Sequence, residues 1–420
     1  MKKFYLETYG CKLNQSDSDL IRGILSKKFE EVSVLKEADF IIINSCGVVQ
    51  KTERKIIKRI KLLKGKKIIL AGCLPLIYPE AIKNKVLGTI GPQNILSIEK
   101  AADVVLKGKK FFEVSKKKID KAQYCFFKKR KPNQASAIVA ISEGCLGNCS
   151  YCAAKYARGK LNSFEIKNIL QEIKSLVQLG YKEIQLCSQD AAIFGLDKGK
   201  YLLPELLKNI SEIKGNFKVR VGMMNPGATE KILKELISVF ESAKIYKFLH
   251  LPLQSGDDEI LKKMNRNYKV KDFLEIIAAL KKKFDDFLIA TDVIVGYPGE
   301  TEKSFQKTVD IIKKVRPAVF HIFRFSKRQN SEASKLKDFP DRIKKERSRI
   351  LTKLFSQINL GENKKFLGKE FNVLIVEKRK NSTLLARTSS FRAVILKEGK
   401  IGEFKKIKII DFRKNYLIGK

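Results

Sequence analysis

Cys145, Cys149 and Cys152 sit in the string Glu143-Gly144-Cys145-Leu146-Gly147-Asn148-Cys149-Ser150-Tyr151-Cys152, directly after the apolar run Ile138-Val139-Ala140-Ile141. Three thiolates at C-x3-C-x2-C spacing on one loop can hold three irons of a [4Fe–4S] cube. The fourth iron is then left open to a small molecule. Structural zinc wants four closed ligands. This loop offers three, and the chain's two histidines, His250 and His321, lie far from it in sequence. The cluster is the better reading.

Five of the eight cysteines lie outside this loop. Three of them share one setting. Cys11 follows Phe4-Tyr5-Leu6-Glu7-Thr8-Tyr9-Gly10, Cys46 follows Phe40-Ile41-Ile42-Ile43-Asn44-Ser45, and Cys73 follows Ile68-Ile69-Leu70-Ala71-Gly72. Each run reads as a buried strand of a parallel sheet. Ligands collect at the carboxyl ends of such strands, so three cysteines there can converge on one point. Free cysteine is also a common core residue. A cluster loop in the same chain weighs against three unrelated core thiols. Cys125 and Cys187 read as incidental or packing residues.

The chain has 420 residues, which suits two or three domains. Lys and Arg total 86 against 45 acids, a formal charge of +41. Solvated lysine faces contribute to that excess, but a field this strong favours a polyanion, most simply RNA. No apolar run is long enough to span a membrane, and the first residues enter a strand without signal-peptide anatomy. Cysteines placed for clusters fit a reducing compartment, so a cytoplasmic location is expected.

Residues 1–108 alternate strand and helix. Asn14 or Ser16 is expected to cap a helix through Leu20, Ile21, Ile24 and Leu25, and a basic helix is expected from Thr52 to about Leu63. The basic stretch from Lys107 to Gln134, with Lys116-Lys117-Lys118 and Lys128-Lys129-Arg130-Lys131-Pro132, reads as a linker or strand pair with a charged surface. Residues 131–358 then show six strand–helix units, with strands near 137–142, 183–187, 218–222, 247–251, 288–295 and 319–325. The clearest helix runs from Ser163 as cap to Gly180 as stop. Repeated βα units close into all or part of a barrel, with chemistry at the carboxyl ends of the strands. Residues 359–420 read as short strands of a small β-barrel, near 370–376, 384–388, 393–396 and 405–410. Its loop Arg387-Thr388-Ser389-Ser390-Phe391-Arg392 joins basic and aromatic residues in an RNA-compatible way. The fold class is thus α/β with a small β-barrel at the end.

C-x3-C-x2-C after a strand resembles the signature of the radical S-adenosylmethionine (SAM) enzymes. Two cysteine triads resemble their methylthiotransferase branch. Further strings agree in order: Glu7-Thr8-Tyr9-Gly10-Cys11 with Asn14 and Asp17, Asn44-Ser45-Cys46, Ala71-Gly72-Cys73, Ala157-Arg158-Gly159, Leu249-His250-Leu251-Pro252-Leu253-Gln254-Ser255-Gly256, Met264-Asn265-Arg266, and Thr291 to Thr301 around Gly296-Tyr297-Pro298-Gly299-Glu300.

The resemblance implies a partial six-unit radical SAM barrel, and a terminal TRAM domain that binds tRNA. It implies two [4Fe–4S] clusters, one on Cys145, Cys149 and Cys152 that binds SAM, and an auxiliary one on Cys11, Cys46 and Cys73 that carries sulfur. Tyr151, Arg158, Gly296, Tyr297, Pro298 and Glu300 become candidate SAM contacts, with Arg158 facing the SAM carboxylate or an RNA phosphate. Arg387, Phe391 and Arg392 become candidate tRNA contacts. The implied reaction places a methylthio group on C2 of an adenosine in tRNA, through a deoxyadenosyl radical. Gly144 to Cys149, Val219 to Pro226, and Tyr246 to His250 favour the branch acting on threonylcarbamoyladenosine. Isopentenyladenosine tRNA and a ribosomal-protein aspartate are the alternatives. Asp190-Ala191-Ala192 departs from the expected Asp-Thr-Ala run. A monomer is expected, and nothing in the sequence names the sulfur or electron donor.

Overall fold

The computed structural model describes every residue except 83, 116 and 131–133. The expected start of the central domain at 131, and parts of the two lysine-rich strings, lie outside the described residues. Six parallel strands build the first domain: β1 (Lys3–Thr8), β2 (Glu30–Glu31), β3 (Phe40–Ser45), β4 (Ile68–Gly72), β5 (Gly88–Ile90) and β6 (Phe111–Glu113), in the order β2-β1-β3-β4-β5-β6. β3 and β4 are buried along their whole length, which is why they read as unbroken apolar runs. One face packs under α1 (Lys12–Leu25) and the helix Ile98–Leu106, the other under α2 (Gln50–Leu62).

The expected helix caps are corrected. α1 starts at Lys12 with Cys11 in the cap position, so Asn14 and Ser16 lie inside the helix. The Asn14 amide reaches the Tyr9 and Ser45 carbonyls instead, at 2.9 and 2.8 Å. The long central helix spans Ile166–Gln178 and is not capped by Ser163. Ser163 accepts the Gly195 N–H at 2.8 Å, tying two loops together.

The central domain opens on β7 (Ser136–Ala140), followed by the two-stranded pair β8 (Ser142–Glu143) and β9 (Asn162–Ser163). Five more parallel strands follow: β10 (Glu183–Cys187), β11 (Lys218–Arg220), β12 (Phe248–His250), β13 (Leu288–Val295) and β14 (Val319–Arg324). They form the sheets β11-β10-β7 and β12-β13-β14. Parallel bridges Val219 to Ile245 and Met223 to His250 join these sheets. Among the described residues no pairing joins β14 back to β7, so the barrel is open on that side. α1 packs beside β7, and its Leu13 belongs to the barrel core.

The last domain is a closed five-stranded barrel, β15 (Glu370–Lys378), β16 (Leu384–Arg387), β17 (Ala393–Leu396), β18 (Phe404–Arg413) and β19 (Tyr416–Gly419), in the order β15-β16-β17-β19-β18. β19 was not expected from the sequence. It is four residues long and closes the barrel between β17 and β18. The helix Asp341–Lys364 leads into this domain.

The basic stretch before β7 is not simply a charged surface. Lys121 is buried, and Lys128 and Arg130 converge on Glu172 of the helix Ile166–Gln178, at 2.7 and 2.6 Å. Lys128 and Glu172 side chains are each 1% exposed. Removing one member of such a buried pair leaves an uncompensated charge. Glu172→Ala is expected to cost about 3–5 kcal/mol of unfolding free energy, measured by denaturant titration.

Candidate functional site

β1, β3 and β4 are neighbours in the sheet, so Cys11, Cys46 and Cys73 emerge side by side at their carboxyl ends. Gly10 makes this possible. It holds φ +104°, and a Cβ there would lie 2.6 Å from the Cys46 Cβ. The Asn14 amide oxygen sits 3.6 Å from the Cys11 Sγ and 4.0 Å from the Cys73 Sγ. Burial pushes the Cys46 thiol up and the Cys73 thiol up to about 12.

The second triad lies on the loop between β8 and the short helix Ala154–Arg158. The Cys145 Sγ accepts the Gly147 N–H at 3.2 Å, and the Cys149 Sγ accepts Arg266 Nη1 at 3.1 Å. Burial pushes Cys145 up to about 11 and also raises Cys152. Thiols this reluctant to ionise alone are suited to ionise when iron replaces the proton.

Among the described residues, neither triad draws its three sulfurs within 4.8 Å of one another, as ligands of one ion would be. The spacing and the all-thiol donor set fit a cluster at each site. A cavity of about 510 Å³ lies over the second triad, lined by Cys149, Cys152, Lys155, Lys160 and, from before β7, Lys117 and Lys118.

Arg158 is placed differently from the expectation. It is fully buried and faces the first triad. Its Nε donates to the Cys73 Sγ at 3.3 Å and its Nη2 to the Asn14 Oδ1 at 2.7 Å. Its Nη1 pairs with the Asp17 Oδ2 at 2.8 Å and with Glu143. Lys121 closes the network, 2.8 Å from Asp17 and 3.0 Å from Glu143. With both carboxylates so close, the guanidinium has no spare face for a SAM carboxylate or a phosphate.

The Gly296 turn is also more internal than expected. Tyr297, Pro298 and Glu300 are buried. The Tyr297 hydroxyl lies 2.8 Å from the Ser150 Oγ and donates to the Lys263 carbonyl, pinning the cysteine loop to the end of β13. Tyr151 stacks edge-on against Tyr297, centroids 6.5 Å apart. Glu300 accepts the Gly296 N–H and Arg347 Nη1, each at 2.6 Å. These side chains hold the turn, and its backbone is what remains for a ligand.

Arg387, Phe391 and Arg392 face the central barrel rather than open solvent. Phe391 packs 5.0 Å from both Tyr246 and Phe248. Arg392 reaches the Asn363 Oδ1 at 3.2 Å and Asp286 at 3.5 Å.

Asp190, noted in the sequence, is buried and raised to about 6 by desolvation, against N–H donors from Asn225 and Ala192. Sequence reading missed two features. Lys121 carried no local signal. On the barrel's inner face, His250 Nε2 and His321 Nδ1 both lie on the Asp292 Oδ1, at 2.8 and 2.7 Å. The two histidines come from strands far apart in sequence, and only the β12-β13-β14 order joins them.

Family models match along the chain: Radical SAM superfamily over residues 139–312, Uncharacterized protein family UPF0004 over residues 3–90, and TRAM domain over residues 364–420. The fold and the cysteine loop thus define a radical SAM enzyme. An Archaeoglobus fulgidus protein described as a probable threonylcarbamoyladenosine tRNA methylthiotransferase is 51% identical, covering 99% of this chain and 97% of its own. A Pyrococcus abyssi protein of the same description is 41% identical, covering 100% and 99%. This chain belongs to the threonylcarbamoyladenosine tRNA methylthiotransferase family, as the motif resemblance implied. Among solved structures, a radical SAM methyltransferase, TsrM, from Kitasatospora setae shares the fold, with TM-score 0.58 and 12% identity over 80% of this chain and 74% of that one. Among the described residues no helix is long and apolar enough to cross a membrane.

Two outcomes test this geometry. Arg158→Met is expected to lose about half of the bound iron, the half that Cys145→Ala retains, by iron assay and electron paramagnetic resonance. Full iron in Arg158→Met overturns the cation's role. The second concerns Asp292. Burial pushes its carboxyl up, but hydrogen bonds from His250 and His321 outweigh that and hold it at about 2. A depressed carboxyl contributes stability above its unfolded value near 4, and loses it as pH falls through about 2. Asp292→Asn should remove about 2 kcal/mol of that acid-sensitive stability, seen as a shallower fall in denaturation midpoint from pH 4 to 2.

Proposed function

We propose that this chain inserts a methylthio group at C2 of N6-threonylcarbamoyladenosine at position 37 of tRNA. One observation carries the reading: the chain holds two three-cysteine sites, and Arg158 follows the second triad in sequence while touching the first in space. Each triad would hold three irons of a [4Fe–4S] cluster and leave the fourth without a protein ligand. When bound, the barrel cluster with SAM supplies radical chemistry, and the auxiliary cluster supplies sulfur.

The chain's own residues do the placing. Gly147 and Arg266 donate to cluster-loop sulfurs and fix their orientation. Arg158 gives the buried Cys73 sulfur a countercharge that water cannot supply there. Ser150 and Tyr297 lock the loop to the end of β13, so a cluster held by Cys145, Cys149 and Cys152 would sit on a loop fixed to the barrel. α1 packs beside β7, and Arg387, Phe391 and Arg392 of the last domain line a cavity together with Arg220 and His250 of the barrel. The net charge of +41 supports an RNA substrate. We also assign the three domains as expected from the sequence.

Reconstituted enzyme with SAM, reductant and sulfide should convert threonylcarbamoyladenosine in tRNA to its 2-methylthio derivative, read by nucleoside mass spectrometry. Cys145→Ala and Cys46→Ala should each abolish that product. If SAM is cleaved and the nucleoside is unchanged, the substrate assignment fails while the radical assignment stands.

A further inference from the structure

Two arginines on the inner side of the barrel have no carboxylate. Arg220 ends β11, and its guanidinium lies 5.0 Å from the Phe248 ring centre and 5.8 Å from that of Phe391. Arg387 ends β16 and lies 4.3 Å from the Phe391 ring centre. Neither forms an ion pair among the described residues, and the Arg387 Nε is a buried donor without a partner. Burial lowers Arg220 to about 10, with Arg387 adding like-charge repulsion. The nearby acid, Glu183, is spent on Ser136, Gln185 and the Tyr246 hydroxyl.

Beside these arginines is a cavity of about 290 Å³, large enough for a group of amino-acid size. No carboxylate lines it, whereas Arg220, Arg387, His250 and His321 do. Asp292 stands behind the two histidines and is shared by both. Two guanidiniums without an ion pair face one partly enclosed space that has no carboxylate among its described lining residues, which makes it a site able to take a negative group. The space lies along the inner face of the strands whose carboxyl ends carry the cysteine loop and the Gly296 turn.

We propose that this cavity receives the carboxylate of the threonylcarbamoyl group, with Arg220 and Arg387 as its partners and His250 and His321 along its path. The inference rests on the function proposed above. In that substrate the modifying group leaves the purine at C6, two ring positions from C2. A base whose C2 is presented at the cluster end therefore trails its acidic substituent deeper into the barrel. Both guanidiniums lie near the Phe391 ring, which brings one from the central barrel and one from the last domain to the same cavity. The arginines then read the modification, and the phosphates are left to the outer surface.

The test is equilibrium binding of three otherwise identical anticodon stem-loops to the reconstituted full-length enzyme. Their residue 37 is threonylcarbamoyladenosine, its neutral threonine-amide analogue, or plain adenosine. Wild type should prefer the acid over the amide by about 10- to 100-fold, the usual worth of charge-assisted hydrogen bonds. Arg220→Met and, as a second variant, Arg387→Met should erase that preference, and Arg220→Lys should restore part of it. Iron content and melting temperature identify any variant that has failed to fold. Weakening of all three RNAs by the same factor in both Met variants would mean phosphate contacts and would overturn the proposal. An intact acid preference in both would overturn it too. Methylthiolation of the wild-type complex, measured in parallel, separates this outcome from failure of the proposed reaction. Product without acid preference sinks only the pocket, and acid preference without product sinks only the reaction.

Discussion

Everything in the joint between the first two domains depends on the guanidinium of Arg158. It is a full positive charge with essentially no water around it. Desolvation on that scale is tolerable only where the charge is met on several sides. Here the partners come from both domains: Asp17, Asn14 and Cys73 from the first, and Glu143 from the second. Lys121 balances the second carboxylate. The network therefore scores three things at once, the relative placement of the domains, the charge of the auxiliary thiols and the path of the chain between β8 and β9. An ion pair on the surface could do none of them, because solvent would screen it.

The barrel shows the complementary solution. Its outward strand residues pack on helices, while its inner face carries Glu183, Gln185, Arg220, His250, Asp292 and His321. A closed eight-unit barrel would fill that space with branched apolar side chains. Six strands leave a gap instead, and the gap admits polar residues because neighbouring domains, not a continuous sheet, close it. Phe391 of the last domain sits against Tyr246 and Phe248 at this edge. The small β-barrel is thus part of the wall of the central chamber.

Most of the architecture was legible because it rests on local patterns. β3 and β4 are unbroken apolar runs, and the six central strands recur with helices between them. The cysteine loop was legible because its spacing is itself chemistry. What escaped depended on strand order and on long-range charge. Lys121 looked like one more lysine in a basic linker, and nothing nearby says that Asp17 and Glu143 wait for it. Arg158 was noticed in its motif, but its direction is set by a domain that the motif does not contain. Asn14 looked like a helix cap because capping is its commonest local use. The four-residue strand β19 is too short to show a period.

The Arg158 contact also orders events in time. Cys11, Cys46 and Cys73 leave the ribosome well before Arg158, and Lys121 and Glu143 also follow them. Until the chain has passed β9, the first domain presents three thiols beside an unanswered Asp17. The auxiliary site is thus completed by a residue belonging to another domain's sequence, and the nascent chain cannot finish it early. A chain that stalls between the two domains therefore carries these thiols without the cation that meets Cys73.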